Sequence, residues 1–303
     1  MHPKENTSGS KLLWVTGTGG LIGSHILDMA PAELPGWTVR GLSRANLDLL
    51  DETAVCEQFK RDSPSAIIHC AALSRSPACQ ADPALANALN VKVPSLLSKL
   101  TRDVGSLLLL FSTDLVFDGT KGDYREDDSP NPLSVYGETK AEAESIVARA
   151  PSHIILRTSL NAGRSPTGDR SFVEETVNAW RQGRQMNLFV DEYRCPIAAD
   201  ETARAACGAI RKDLRGTYHL AGREKLSRHE IGALLADSLG FSSNLIRATT
   251  LASYSGPPRP RDTSLNCDRL ASALGLAMPS FREWAARQRT SWPVVGSVPP
   301  VGP

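Results

Sequence analysis

The chain has 303 residues, and its 34 basic and 33 acidic residues leave a formal net charge of +1. A balanced charge indicates neither a nucleic-acid nor a membrane partner, and no apolar run approaches the ~18 residues that span a bilayer. The six cysteines are scattered without Cys-x-x-Cys spacing, which predicts reduced thiols and no metal site. Because the first ten residues are polar and do not form a secretion signal, we expect a cytoplasmic protein.

The first half of the chain alternates strand-like and helix-like segments. Short apolar runs predict strands at 11–16, 37–43, 65–71, 106–112 and 153–158. Helical patterns lie between them at 21–30, 51–61, 83–101 and 136–150. This alternation predicts an α/β fold of the Rossmann type, in which a doubly wound parallel sheet has right-handed crossovers.

The second half is more mixed. Its patterns predict helices near 171–182, 200–212, 228–239, 267–274 and 281–289, and strands at 186–190 and 216–220. We expect residues 11–160 to form a dinucleotide-binding domain, with 200–222 returning to its sheet. Residues 161–290 then form a smaller mixed α/β substrate-binding part over the carboxyl ends of the strands, where such folds bind ligands. The polar segment 1–10 and the Pro/Gly-rich segment 291–303 are expected to be disordered.

A glycine-rich loop follows the first predicted strand, within "LLWVTGTGGLIGSHI" at 12–26. Gly17, Gly20 and Gly23 stand three residues apart, which is typical of a loop that makes a tight turn and admits a pyrophosphate. The free N–H groups at the start of the next helix would point at the anion. Because this pattern is weak by itself, an ordinary Gly-rich turn is the alternative.

The end of the second predicted strand favours NADP as the cofactor. Sites for NAD usually place an acidic residue there, but this chain has Ser43 and Arg44. A guanidinium suits the ribose 2′-phosphate of NADP. Asp48 would then lie near the adenine amino group, with Leu49 beside the ring. The alternative is a solvated surface arginine followed by an unrelated loop.

A tyrosine and a lysine carry the predicted chemistry. Tyr136 and Lys140 stand four residues apart on a predicted helix and therefore share one face. A free tyrosine hydroxyl has a pKa of about 10, and we expect the Lys140 ammonium to lower it and to bind the cofactor ribose. Ser112 and Thr113 end a buried strand, where a hydroxyl would hold a substrate carbonyl. A chance surface pair is the alternative, but the order of loop, hydroxyl and pair along one alternating fold argues against it.

Several stretches together resemble the extended short-chain dehydrogenase/reductases. They include "VTGTGGLIG", "FSTDLVFDGTKGDYREDD", "PLSVYGETKAEAE" and "RPRDTSLNCDRL". Within that superfamily the chain is similar to the dTDP-4-dehydrorhamnose reductase group, which also contains the regulatory beta subunit of methionine adenosyltransferase. The similarity covers nearly the whole chain.

The resemblance implies a role for each matching residue. The catalytic threonine, tyrosine and lysine of the family correspond to Thr113, Tyr136 and Lys140. Cofactor contacts are implied for Gly17, Gly20, Leu21, Ile22, Ala71, Ala72, Thr158 and Ser159. Substrate contacts are implied for Leu73, Val116, Tyr193 and Arg259. For Tyr193 and Arg259, ordinary loop residues are the alternative, with the arginine bracing its loop against Asp262 or the surface.

Two departures from the family pattern concern the substrate side. The reductases often continue Arg-Thr-Ser with Trp and Tyr, whereas Leu160 and Asn161 follow here. The loop after "CAAL" usually carries an Asp-Lys pair and a Glu, whereas here it reads "SRSPACQAD". Because the cofactor side matches the family pattern, we expect a reductase. The identity of its sugar substrate is not decided by the sequence.

The resemblance implies an NADPH-dependent reductase of a keto group on a nucleotide-linked 4-keto-6-deoxyhexose. The expected partner is therefore a small molecule, and the sequence does not decide whether the chain forms a homodimer. A non-catalytic regulatory subunit that retains NADP is a second interpretation. A third is a nucleotide-sugar epimerase that recycles its nicotinamide. The sequence does not choose among the three.

Overall fold

Strands and helices alternate along most of the chain. The computed structural model describes residues 11–288 and Trp292. The strands are β1 (Lys11–Thr16), β2 (Trp37–Leu42), β3 (Ala66–His69), β4 (Leu107–Thr113), β5 (His153–Thr158), β6 (Asn161–Ala162), β7 (Met186–Phe189), β8 (Tyr193–Arg194), β9 (Ile197–Ala198), β10 (Gly216–Leu220), β11 (Leu226–Ser227) and β12 (Ile246–Thr249). The helices are α1 (Leu21–Glu33), α2 (Glu52–Asp62), α3 (Ser76–Ala81), α4 (Pro83–Asn87), α5 (Val93–Val104), α6 (Val135–Val147), α7 (Phe172–Arg181), α8 (Ala199–Arg211), α9 (Arg228–Leu239), α10 (Asp268–Leu274) and α11 (Phe281–Arg287).

The central sheet has six strands in the order β10-β5-β4-β3-β1-β2. Each neighbouring pair is parallel. The chain leaves β1 for β2 on one side and returns to β3 on the other, so the strand order reverses beside β1. This topology confirms the predicted Rossmann-type doubly wound sheet, and it places the expected ligand crevice at the carboxyl ends of β1 and β3.

Both faces of the sheet are covered by helices. On one face, the buried residues of α1 and α8 pack against those of β1, β3, β4 and β5. On the other face, α2, α5 and α6 supply Val55, Leu97 and Ala143 to a second core. All seven residues of β4 are buried, which explains why its apolar run does not alternate.

A smaller part follows β5 and has its own core, built from α7, α9 and α11. Its strands form two-stranded ladders: β11 with β8, β12 with β7, and β6 with β9. Trp292 is buried in this core. Apart from Trp292, the tails predicted to be disordered, 1–10 and 291–303, lie outside the described residues. The division into domains at residue 160 stays a prediction.

The structure adds the short strands β6, β8, β9, β11 and β12 to the predicted elements, and it differs from the predicted helices at three main places. Helix α1 continues past Pro31 to Glu33, because its packing against α8, which the local sequence does not show, stabilises the last turn. The helix predicted at 83–101 is α4 and α5 joined by one π-helical turn, Ala88–Lys92. Helix α3 was not predicted, since its six residues are too few to show a helical pattern.

Candidate functional site

The hydroxyl predicted to orient a substrate carbonyl lies at the carboxyl end of β4. Thr113 is the last residue of this strand and is 6% exposed. Its Oγ1 accepts the N–H of Leu115 and lies within hydrogen-bond distance of Asp114 Oδ1, both at 3.2 Å. A 3-10 turn, Asp114–Val116, follows directly. These bonds fix the Thr113 hydroxyl where the sheet ends.

Helix α6 sets the tyrosine beside this strand end. The side chain of Ser134 accepts the N–H of Gly137 at 3.3 Å and caps the helix. A Cβ on Gly137 would overlap the carbonyl oxygen of Leu115, so the missing side chain lets α6 approach the turn after β4. This approach brings Tyr136 close enough to Thr113 for the threonine hydroxyl to influence the pKa of the phenol. Sequence analysis assigned no role to Gly137.

The structure corrects the expectation that Lys140 lowers the pKa of Tyr136. Burial and the charge of Asp114 raise the pKa of this phenol above its ordinary value. A hydrogen bond with Thr113 and the guanidinium of Arg194 oppose the shift. The phenol is therefore protonated at neutral pH, which is the form that a general acid needs.

Lys140 is enclosed on the same face of α6, one turn after Tyr136. It is 2% exposed, and burial lowers the pKa of its ammonium to about 8, although Glu144 opposes the shift. The Glu144 carboxylate is itself held by Arg157, whose Nη2 lies 2.8 Å from Oε2. Because Glu144 is already paired, the Lys140 ammonium remains available to oxygen atoms of a ligand.

A buried carboxylate that sequence analysis missed ties the site together. Asp114 has no exposed surface and accepts hydrogen bonds from Arg194 Nη2 at 2.8 Å and Ser159 Oγ at 2.7 Å. Arg194 Nε also lies 2.8 Å from Oδ2, in an ion pair without hydrogen-bond alignment. Thr263 donates a further bond at 3.2 Å. Asp114 therefore joins the end of β4 to β5, to β8 and to the segment around Thr263.

The glycine-rich loop brings β1 and β3 together at the predicted nucleotide site. Gly17 has a φ of +72°, and a Cβ there would lie 2.6 Å from Ala71 N, so only glycine fits this turn. Gly20 precedes α1, whose first turn contains no acidic residue. The N–H groups of Leu21 and Ile22 have no acceptor within the helix. The positive end of α1 therefore fits a pyrophosphate.

The residues predicted to select NADP lie after β2, the strand beside β1. The Arg44 side chain is 86% exposed, and its Nε is 3.9 Å from Asp48 Oδ2. Ser43 is held by its neighbour Asn46, whose Oδ1 accepts the Ser43 hydroxyl at 2.5 Å. Leu49 is half-buried. The exposure of Arg44 fits a 2′-phosphate ligand and a solvated arginine equally.

The two residues predicted near the nicotinamide lie at the carboxyl end of β5, which pairs with β4 in the sheet. Thr158 is the last residue of β5 and lies opposite Thr113 in the ladder. Its hydroxyl accepts Asn161 Nδ2 at 3.0 Å, and the Ser159 hydroxyl donates to Asp114. Both hydroxyls are therefore engaged within the protein, and their contact with a cofactor stays a prediction.

A buried asparagine holds the loop after β3, where Ala72 and Leu73 are predicted to meet cofactor and substrate. Asn90 has no exposed surface and bonds both the N–H and the carbonyl of Leu73, at 2.8 and 3.1 Å. Its Nδ2 also donates to Thr139 of α6 at 3.1 Å. Asn90 lies in the π-helical turn, a deviation that often marks functional sites. Sequence analysis missed it, because no local pattern reports a bond across 49 residues.

A pocket opens between the catalytic elements and the smaller part. Leu115 and Ser134 line it from the side of Thr113 and Tyr136, and Leu160, the residue that departs from the family pattern, lines it after β5. Its volume is about 140 Å³, which is small against the ~300–1,000 Å³ of typical small-molecule sites. Segment 257–260 contributes three prolines and an arginine to the wall, so the pocket is narrowed by this segment.

Arg259 lines the pocket, but its charge is used within the protein. Its Nε and Nη2 donate to the two oxygens of Glu192 at 2.7 and 2.9 Å. Glu192 is 1% exposed; burial raises its pKa, but the surrounding guanidiniums, Arg259 first among them, hold the pKa below its ordinary value. Asp262, the bracing partner considered from the sequence, is paired with Lys225 instead. In this structure Arg259 braces its segment against Glu192.

The other three side chains predicted for the substrate, those of Leu73, Val116 and Tyr193, do not line this pocket. Val116 has no exposed surface and packs in a small core with Phe117 and Tyr124. Tyr193 lies under the ammonium of Lys225, 5.0 Å from the ring centre. Because side chains alternate along β8, it points away from its pocket-lining neighbours. Their contact with a substrate stays a prediction that this pocket does not support.

The cysteines and acidic residues of the described part of the chain do not suggest a disulfide or a metal centre. All six cysteines are free thiols. Within residues 11–288 and Trp292, no group of three or more His, Cys, Asp and Glu side chains could hold a metal ion. No helix in the same part of the chain is long and apolar enough to cross a membrane.

A protein-family comparison matches nearly the whole chain. The family described as "RmlD substrate binding domain" matches residues 11–290. Methionine adenosyltransferase 2 subunit beta of Xenopus laevis is 31% identical over 302 residues, which cover 95% of this chain and 89% of the relative. The dTDP-4-dehydrorhamnose reductase of Sinorhizobium fredii is 30% identical over 288 residues, which cover 91% of this chain and 95% of the relative.

Solved structures share the fold. A dTDP-4-dehydrorhamnose reductase of Bacillus anthracis, in complex with NADP, superposes with a TM-score of 0.85 at 22% identity, covering 92% of this chain and 98% of the other. A UDP-glucose 4-epimerase of Thermotoga maritima, with UDP-glucose, gives a TM-score of 0.78 at 20% identity and covers 91% and 96%. The fold is therefore common to reductases and epimerases.

Proposed function

The chain belongs to the RmlD substrate binding domain family, and on that premise we propose that it is an NADPH-dependent reductase of a keto group. The substrate class is a nucleotide-linked 4-keto-6-deoxyhexose. The observation that carries this proposal is the grouping of Thr113, Tyr136 and Lys140 at the carboxyl end of β4, beside the only strand reversal of the described sheet. The pocket lies next to this group, because Leu115 and Ser134, each two residues from Thr113 or Tyr136, line it.

Each side chain has a distinct task in the proposed reaction. NADPH, when bound, supplies a hydride to the carbonyl carbon. Thr113 holds the carbonyl oxygen by a hydrogen bond, and Tyr136 gives its phenolic proton to the developing alkoxide. The raised pKa of Tyr136 keeps that proton in place before the reaction. Lys140 binds the ribose hydroxyls and supplies a positive charge beside the phenolate that forms.

Three features support NADP as the cofactor. The first turn of α1 offers free N–H groups and no acidic side chain. Arg44 follows β2, and no acidic residue occupies position 43 or 44. The Bacillus anthracis reductase with this fold is described in complex with NADP. Together they support a dinucleotide with a 2′-phosphate.

A second candidate rests on the relatives named methionine adenosyltransferase 2 subunit beta, which are as similar to this chain as the reductase is. In this interpretation the chain keeps NADP as a structural ligand and regulates another protein. Leu160 in the pocket wall favours it, because this residue departs from the reductase pattern beside the sugar. The intact Thr113, Tyr136 and Lys140 favour the reductase.

The two candidates differ in turnover. The experiment measures NADPH oxidation with a panel of dTDP- and UDP-linked 4-keto-6-deoxyhexoses, with NADPH binding measured in parallel. Sustained oxidation with at least one sugar nucleotide supports the reductase. Tight NADPH binding without oxidation of any member would contradict the reductase and favour the regulatory subunit.

A further inference from the structure

Three arginines, Arg194, Arg228 and Arg259, line the pocket beside the catalytic residues, and Glu192 is the carboxylate in its lining. Asp114 pairs with Arg194 from outside the pocket, and the charge of Glu175 acts on Arg228 without forming an ion pair with it. Arg194 is paired with Asp114, and Arg259 makes both of its bonds to Glu192. The third guanidinium, that of Arg228, forms no ion pair with any described carboxylate, although Glu192 and Glu175 are near enough to influence it.

Arg228 is held firmly where it stands. It is the first residue of α9, and its N–H donates to the carbonyl of Glu192 at 2.9 Å. The preceding strand β11 pairs with β8, which carries Arg194. The guanidinium carbon of Arg228 lies 5.3 Å from the ring centre of Phe172. Backbone bonding and ring stacking therefore orient this side chain without using its hydrogen-bond donors.

One nitrogen of this side chain has no acceptor. Nη1 of Arg228 is fully enclosed and makes no hydrogen bond to any described residue. Burial and the nearby charges of Arg194 and Arg259 lower the pKa of Arg228 to about 10, although Glu192 and Glu175 oppose the shift. An unsatisfied buried donor destabilises a fold, and the cost is larger for a charged group. An anion in the pocket would satisfy the donor and give the guanidinium an ion pair.

We propose that Arg228 binds a phosphate oxygen of the nucleotide part of the substrate. This inference rests on the proposed function, and it assigns the anion to Arg228 instead of Arg259, whose bonds are already made. Guanidinium groups bind phosphate with charge-assisted hydrogen bonds. The pocket is large enough for one phosphate group but not for a whole sugar nucleotide. The remaining parts of the ligand therefore extend beyond the pocket, past Leu115 and Ser134 toward Tyr136.

The test measures the affinity of the full chain for dTDP and for inorganic pyrophosphate by titration calorimetry, without any turnover. Arg228→Met keeps most of the side-chain volume and removes the donors. We expect it to weaken dTDP binding about ten- to a hundredfold and to leave NADPH affinity unchanged. Arg223→Met is the matched control, because Arg223 is exposed, pairs with Glu283 and lies outside the pocket.

A second variant separates binding from folding. Arg228→Lys keeps a charge but not the forked donors, and it should bind dTDP with an affinity between those of the wild type and Arg228→Met. If Arg228→Met fails to fold, the loss of dTDP affinity in a folded Arg228→Lys protein supports the inference. Wild-type dTDP affinity in either folded variant would overturn it, as would the absence of both dTDP and pyrophosphate binding in the wild type.

The two proposals fail in different ways. Arg228-dependent dTDP binding without NADPH oxidation on any keto sugar would retain the phosphate site and refute the reductase. Oxidation of a sugar nucleotide with an unchanged KM in Arg228→Met would retain the reductase and refute the phosphate site.

Discussion

The nucleotide side and the substrate side of the crevice use their polar groups differently. On the nucleotide side, donors make few contacts within the protein: the first N–H groups of α1 have no acidic cap, and the exposed Arg44 has only a 3.9 Å ion pair with Asp48. On the substrate side, Arg259 and Arg194 are paired with buried carboxylates. The nucleotide side is prepared for an anion, whereas the substrate side uses most of its charges to hold its own segments together.

This contrast predicts different consequences for similar substitutions. Removing a donor on the nucleotide side should weaken ligand binding and leave the fold unchanged. Removing a paired arginine on the substrate side should destabilise the fold, because it leaves a buried carboxylate without its partner. Melting temperature and ligand affinity, measured on the same variant, therefore separate the two regions.

The largest expected effect lies where the regions meet. Tyr136→Phe removes the phenolic proton with little change in volume, and general acids contribute roughly 10²–10⁴-fold to a rate. We expect kcat to fall by about that factor, while NADPH affinity stays near that of the wild type because Lys140 remains. Steady-state kinetics with an accepted sugar nucleotide and a cofactor titration test this. A variant that retains most of its turnover would remove Tyr136 from the reaction.

Arg259→Ala tests the substrate side. It removes both bonds to the buried Glu192, and hydrogen bonds to charged groups contribute about 1.5–3 kcal/mol. The free energy of unfolding should fall by about that amount, as measured by urea denaturation. The matched control is Arg261→Ala, because Arg261 is exposed and lies outside this ion pair. Equal stability of the two variants, together with a raised KM only in Arg259→Ala, would make Arg259 a substrate ligand instead of a brace.

Arg44→Ala tests the nucleotide side. If the exposed guanidinium binds the 2′-phosphate, the variant should bind NADPH about ten- to a hundredfold more weakly and NADH almost as before. Its melting temperature should not change, since its one ion pair is exposed and long, at 3.9 Å. Equal losses for the two cofactors would show that Arg44 does not read the 2′-phosphate.

The smallest predicted effect is a pH dependence set by Lys140. Burial lowers the pKa of this ammonium to about 8, below its unfolded value, so the charged form is lost from the free protein as the pH rises through about 8. NADPH affinity should fall about tenfold between pH 7 and pH 9 if ribose binding needs the charge. The stability contribution has the opposite sign, because the unfolded chain keeps its proton longer and folding becomes more favourable above pH 8.

Lys140→Met provides the control for this pH dependence. It has no ammonium to lose, so its weaker NADPH affinity should stay constant from pH 7 to pH 9. If wild-type affinity were equally constant over this range, the charge of Lys140 would have no role in cofactor binding.

The sequence predicts the glycine-rich turn after β1 and the shared face of α6, because local patterns encode them. The loop at Gly17 and Gly20 is one short segment, and Tyr136 and Lys140 share a helix face through their spacing of four residues. Four of the six sheet strands, β1, β3, β4 and β5, were found for the same reason, since each contains a compact apolar run, whereas β2 and β10 mix apolar and polar residues. These features depend on neighbours along the chain.

The substrate side depends on contacts between distant residues and could not be predicted in this way. Glu192 and Arg259 are 67 residues apart, and Asp114 and Arg194 are 80 apart. No local pattern distinguishes an arginine that is paired from one that is available, so the sequence favoured Arg259 and overlooked Arg228. The raised pKa of Tyr136 was missed for the same reason, because it comes from burial and from Asp114.

The most direct test of the central claim follows the hydride itself. A sugar nucleotide that the protein accepts is incubated with NADPH carrying deuterium at the transferred position, and the product is analysed by mass spectrometry together with the oxidised cofactor. The account predicts one deuterium in each product molecule and one NADP⁺ released for each, with both lost in Tyr136→Phe. A product without deuterium, formed while NADPH stays reduced, would contradict the account and identify isomerisation as the reaction.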